Sequence, residues 1–195
     1  MPDKILKSDR STPLRGQGIY IAFGSNMPFG GYTALQLLDH VVKRLSRAHV
    51  TVEQVSSLWR SKAWPNPEDP PFHNAVMRVT ANCDPISLLE TLHAIEAETG
   101  RKRSEDYEGV IKLPVNAPRV LDLDLIAFDD QILSSPLTLP HPRAHERGFV
   151  MGPMAEIAPD WVHPVHGKTA LDLFAQVTVA TDAYAAEDTA GLLGR

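Results

Sequence analysis

From residue 118 to 128 the chain reads PRVLDLDLIAF, two aspartates set into an otherwise almost wholly apolar run. Side chains alternate along a strand. Asp122 and Asp124 therefore share one face, about 7 Å apart along it, while Leu121, Leu123 and Leu125 share the other. The segment calls for a sheet packed on one side and, at least locally, facing a polar site on the other. Two like charges on such a face are what the rest of the chain has to explain.

The remaining pattern supplies the sheet and its cover. GIYIAFGSN (18–26) is a short apolar run stopped by Gly24 and a polar turn, which predicts a buried strand. Ala34, Leu37, Leu38, Val41, Val42 and Leu45 recur at helical spacing behind Thr33, a capping residue. Residues 50–64, VTVEQVSSLWRSKAW, are rich in β-branched and aromatic types and predict one long strand. The prolines of PNPEDPPF impose a loop, and HNAVMRVTA alternates as a strand again. Asp84, Pro85 and Gly100 mark the start and stop of a second helix. A long irregular stretch over 104–118 leads into the aspartate strand. Short helices are expected in HERGFVMGPMAEIA and TALDLFAQV, ahead of an alanine-rich tail. Strand–helix–strand–strand–helix–strand predicts an α+β fold: a ferredoxin-like βαββαβ core with an antiparallel sheet, helices packed on it and C-terminal additions. One domain is expected over 18–178, with flexible tails at 1–17 and 179–195.

Charge narrows the partners. The net charge is −5 and no basic block exceeds three residues, so duplex nucleic acid and anionic membranes are not expected as partners. A compact anionic ligand held by a few arginines is still allowed. The single cysteine, Cys83, rules out an internal disulfide and fits a reducing compartment. With no apolar run of signal-peptide or membrane-spanning length, a cytoplasmic protein is expected. A monomer is expected, with a dimer left open.

Two carboxylates on one partly buried face repel each other and lose hydration. Mg²⁺ resolves both costs, since it binds one or two carboxylates together with substrate phosphates and water. A lone D-x-D is more often a pair of solvated acids, but here cations gather around it in the sequence. Arg119 lies three residues before Asp122, GRKR supplies Arg101 and Arg103, and HPRAHERGF supplies His141 and Arg147. Carboxylates for a metal with arginines for oxyanions suit transfer of a phosphoryl-type group. Two decoys fail. GKT at 167–169 has Val162 where a Walker loop needs its first glycine, and the pairs His141/His145 and His163/His166 lack the cysteines or H-E-x-x-H pattern of a zinc site.

Taken together, PRVLDLDLI, YIAFGSN, SSLWRSKAW, FHNAV, LLETLHAIEAETGRKR and LPHPRAHERGFVMGPMAEIAPDWVHP resemble the 6-hydroxymethyl-7,8-dihydropterin pyrophosphokinase family over about residues 18–167. The resemblance implies transfer of pyrophosphate from ATP, as co-substrate, to the pterin hydroxyl in folate biosynthesis, with small molecules as the partners. It implies that Asp122 and Asp124 hold two Mg²⁺ ions. It places Arg101, Arg103 and Arg119 as catalytic and phosphate arginines, His141 and Arg147 on ATP, and His93 with Glu96 near adenosine. For the pterin it implies stacking between Phe72 and Phe149, an amide edge read by Asn74, and backbone contacts from Ser61, Lys62 and Trp64.

The chain departs from the family at Val115, Asn116 and Ala117, and its 104–117 loop is longer and more acidic. That loop motivates a second reading, a pterin- or nucleotide-binding relative of weak catalysis. A third is a D-x-D transferase using a nucleotide-sugar.

Overall fold

The structure is a computed structural model that describes residues 17–63, 66, 68–101, 119–189 and 192–193. Strand β1 (Ile19–Ser25) is buried along its whole length. Helix α1 (Ala34–Arg47) starts at Thr33, whose Oγ1 accepts the Gln36 N–H at 3.2 Å while the Gln36 side chain accepts the Thr33 N–H at 2.9 Å. It buries Leu37, Leu38, Val41 and Leu45, each stabilising the fold by on the order of 2 kcal/mol. Arg44 and Arg47 in its last turn face the negative end of the helix dipole.

The single long strand expected over 50–64 is instead two, β2 (Val50–Val55) and β3 (Leu58–Ser61), both antiparallel to β4 (Phe72–Ala81). Ser56 causes the break and repairs it. Its N–H donates to the Val76 carbonyl at 2.9 Å, and its Oγ accepts the Val76 N–H at 3.0 Å in place of a backbone carbonyl. Helix α2 (Pro85–Glu98) is capped by Asp84, which accepts the N–H groups of Ile86 and Ser87, and Gly100 ends it at φ +81. Strand β5 (Asp122–Phe128) follows, then a 3₁₀ turn at Ala144–Glu146, α3 (Gly148–Ile157) and α4 (Ala170–Phe174), the last capped by Thr169 with Asp172.

The expected flexible tail at 179–195 is corrected over 179–189. There the chain forms strand β6 (Tyr184–Glu187), antiparallel to β3 at the sheet edge. The order is β5-β1-β4-β3-β6, with β2 also on β4, and every pairing is antiparallel. This is the ferredoxin-like core with its second strand split and one strand added. Helices α1 and α2 cover one face, packing on Ile21, Phe23, Met77, Leu121, Leu123 and Leu125. Helices α3 and α4 cover the other, packing on Tyr20, Ala22, Val76 and Ile126. No helix among the described residues is long and apolar enough to cross a membrane.

The second face carries the site. Across it Gly24 of β1 pairs with Asn74 of β4 on one side and Asp122 of β5 on the other. Helices α3 and α4 cover the neighbouring row and leave this one as the floor of a cleft.

Candidate active site

The cleft has a volume of about 280 Å³. It gathers most of the residues picked from sequence. Ser61, Lys62, Phe72, Asn74 and Phe149 line it with Arg101, Arg119, Asp122, Asp124, His141 and Arg147. Arg143, Val179 and Ala180 also line it and escaped the sequence reading. Trp64, Arg103 and the 104–117 loop lie outside the described residues.

The two aspartates experience opposite fields. Asp122 Oδ2 accepts from Arg119 Nη1 at 2.7 Å, and Oδ1 accepts from Arg101 Nη1. Burial raises the pKa of Asp122, but the Arg119 and Arg101 guanidiniums outweigh it and leave the carboxyl below the usual range. Asp124 has no hydrogen-bond or ion-pair partner among the described residues. Burial first, and the charge of Asp122 second, push it up to about 6. One acid is neutralised by protein cations; the other is a half-buried carboxyl facing an open cleft.

Glu96 departs from expectation. It is 1% exposed, not at the surface of a nucleotide site. Its Oε1 accepts the Leu123 N–H at 2.7 Å and Arg101 Nη1 at 2.5 Å, so it anchors the aspartate strand from behind. His93, one turn earlier, is half-buried and does not line the cleft. The Glu96 carboxylate is committed inside the fold. Asn26 is a further positioning residue. Its Oδ1 accepts the Arg119 N–H at 2.8 Å, its own N–H donates to the Arg119 carbonyl at 3.1 Å, and its Nδ2 donates to the Pro70 carbonyl at 3.2 Å. The only sequence signal was a polar residue closing a strand-end turn.

At the other end, Asn74 is 4% exposed and donates Nδ2 to Ser61 Oγ at 3.2 Å. Phe149 carries the Arg147 guanidinium 5.6 Å above its ring, and burial lowers the Arg147 pKa against the pull of Asp124. His141 Nδ1 accepts the Arg143 N–H at 3.2 Å, which leaves its proton on Nε2. Burial and then Arg147 lower its pKa to about 4, so it is a neutral hydrogen-bond donor at pH 7.

A second cluster, His145, His163 and His166, brings ring nitrogens within 4.8 Å of one another. His163 Nδ1 accepts the N–H groups of Val165 and His166 at 3.2 and 3.3 Å, so Nε2 holds the proton. A ligand histidine needs the reverse, a lone pair toward the ion and an N–H toward its partner. The cluster is a stack of imidazole rings packed beside Trp161.

Comparison with known proteins decides the family. The family model described as 7,8-dihydro-6-hydroxymethylpterin-pyrophosphokinase (HPPK) matches residues 20–159. The chain belongs to the HPPK family. A Synechocystis protein named 2-amino-4-hydroxy-6-hydroxymethyldihydropteridine pyrophosphokinase is 38% identical over 166 residues, covering 85% of this chain and 78% of that one. Its Pseudomonas aeruginosa namesake is 35% identical over 145 residues, covering 74% and 82%. The Pneumocystis carinii folic acid synthesis protein fol1 is 34% identical over 88% of this chain, which spans 21% of that protein. A crystal structure of Plasmodium falciparum HPPK-DHPS shares the fold with a TM-score of 0.59 at 12% identity, covering 82% of this chain and 43% of that one. HPPK membership sets aside the nucleotide-sugar reading.

Proposed function

We propose that this HPPK chain transfers the pyrophosphoryl group of ATP to the hydroxyl of 6-hydroxymethyl-7,8-dihydropterin in folate synthesis, releasing AMP. The observation that carries the reading is the single cleft joining Asp122 and Asp124 to an aromatic and amide end made by Phe72, Asn74 and Phe149. The hydroxyl oxygen bonds to the β-phosphorus, the bond from that phosphorus to the oxygen it shares with the α-phosphate breaks, and the hydroxyl proton is released.

The donor set fits magnesium. Asp124 is a half-buried carboxyl without a hydrogen-bond or ion-pair partner among the described residues, beside a second carboxylate, and hard oxygen donors suit this ion. Asp122 and Asp124 would hold it, as one or two ions, and when bound it supplies charge neutralisation and Lewis acidity at the phosphates. Arg101 and Arg119 neutralise Asp122 and stand within the same cleft, placed to meet phosphate oxygens. His141 donates Nε2–H and Arg147 its guanidinium on the ATP side, where Arg143 adds a third group. At the pterin end Phe72 and Phe149 take the flat rings. Asn74, with its Nδ2 committed to Ser61, offers Oδ1 and its remaining N–H to the pterin amide edge. Alignment and fixed charge carry the catalysis.

The test is product analysis. ATP, Mg²⁺ and hydroxymethyl-dihydropterin should yield AMP in step with pterin diphosphate, and omission of the pterin should abolish AMP. Formation of ADP, or of AMP without pterin, contradicts the proposal.

A further inference from the structure

We infer that residues 178–189 form a strap that completes the pterin end of the cleft, with Val179 as a specificity-determining residue and Asp182 as a positioning residue; this rests on the pterin assignment above. The family match ends at residue 159, so nothing in it assigns this segment a role.

The strap is fastened to both walls of the subsite. On one side, the N–H groups of Thr178 and Val179 donate to the Glu146 carbonyl at 3.0 and 2.9 Å, and the Gly148 N–H donates to the Val179 carbonyl at 2.8 Å. These bonds bracket Arg147 and lead directly into Phe149. Gly148 permits the approach, since a Cβ there would lie 2.3 Å from the Ala180 carbonyl oxygen. Ala180 adopts φ +52, a left-handed conformation that alanine rarely takes, as the chain turns across the cleft. On the other side, Asp182 Oδ2 accepts the Lys62 N–H at 2.9 Å, and β6 pairs with β3 through Trp59–Ala185 and Arg60–Tyr184. Thr189, 5% exposed, closes the run by donating Oγ1 to the Ser56 carbonyl at 2.8 Å.

Two consequences follow for substrate. Val179 and Ala180 are the cleft wall contributed by the strap, so the Val179 side chain limits the size of a bicyclic ligand beside Phe149. Asp182 occupies the Lys62 N–H, so Lys62 cannot donate that proton to the pterin, and the Ser61–Lys62 backbone is held in one orientation beside Asn74.

Steady-state AMP formation by the full chain, with pterin and ATP varied separately, tests the strap. Asp182 is exposed, so truncating it opens no cavity. Asp182→Ala should raise KM for hydroxymethyl-dihydropterin about tenfold while KM for ATP and kcat change less than about twofold. Asp182→Asn, which keeps an acceptor for Lys62, should restore most of that affinity. Val179→Phe should weaken pterin binding by about tenfold or more in a titration, with Mg²⁺-ATP analogue binding retained. The inference is overturned if Asp182→Ala and Val179→Phe leave the pterin constants at the wild-type values, or if the ATP constants move by the same factor. A wild-type chain that makes no pterin-dependent AMP defeats the functional reading and this inference with it. An active wild type with indifferent variants defeats the strap alone.

Discussion

Glu96 Oε1 accepts the backbone N–H of Leu123 at 2.7 Å, the residue that separates the two aspartates. A helix carboxylate thus holds the aspartate strand from its core side, and Arg101 links that buried acid to Asp122 on the cleft side. Arg101 answers part of the question posed by two like charges on a buried strand: one of them is already neutralised. Removing Glu96 would leave the buried Leu123 N–H without its acceptor and take one of three acceptors from the Arg101 guanidinium, which keeps Asp122 and the Leu121 carbonyl. Glu96→Ala should destabilise the fold by about 3 kcal/mol, read as a shift in the urea midpoint. A midpoint equal to wild type would show that the anchor is dispensable.

Gly24 pairs with Asn74 on one side and Asp122 on the other, the two residues that bring the ends of the cleft together. A Cβ there would lie 3.6 Å from Asn74 Oδ1 and 3.7 Å from Asp122 Cβ, ordinary contacts that the fold accepts. Gly24→Ala should therefore keep stability within about 1 kcal/mol, because a strand tolerates alanine at least as well as glycine. The added methyl intrudes between the two ends of the site, so kcat/KM should fall by about tenfold or more. Equal activity would place the substrates away from this floor.

Gly152 plays a packing role instead. A Cβ there would come within 2.4 Å of the Trp59 ring, and Trp59 Nε1 donates to Glu156 Oε2 at 2.8 Å on the same helix. Gly152→Ala should force α3 away from β3, cost about 2 kcal/mol and change tryptophan fluorescence. Unchanged stability and emission would contradict this contact.

Much of the fold was legible because its signals are local. Thr33, Asp84 with Pro85, and Gly100 act within a few residues, and the alternation around Asp122 and Asp124 predicts the faces those residues occupy. What was missed depends on distant partners. The break at Ser56 is masked by a continuous β-favouring composition, and only the Val76 partner reveals that a side chain substitutes for the backbone. Strand β6 has all four side chains exposed, so it carries no hydrophobic period; its stability comes from pairing with β3. Glu96, placed near adenosine by the resemblance, is held inside the fold by Arg101 and Leu123, which only the folded chain brings around it. Of the residues that line the cleft, Asp122, Asp124, Arg101, Arg119, Arg147, Phe72, Asn74 and Phe149 were picked out by the sequence, while Arg143 and Val179 were not.

Acid should weaken the fold through His163. Its pKa is lowered to about 4 by burial first, and then by His166 and His145, against about 6.5 in the unfolded chain. Between those values the unfolded chain binds the proton and the native one does not, so this contribution to stability is full above pH 6.5 and is lost as pH falls toward 4. Denaturation midpoints at pH 7 and pH 5 for wild type and His163→Phe should show a smaller acid loss in the variant. Parallel losses would assign the effect elsewhere.

We propose that Asp122 and Asp124 serve the transfer step rather than the grip on pterin. The most direct measurement is single-turnover AMP formation by Asp122→Ala and Asp124→Ala, paired with pterin titration of each. Rates should fall by on the order of 1000-fold, with the pterin Kd within about threefold of wild type. Retained turnover, or a pterin affinity that falls by the same factor as the rate, would contradict it.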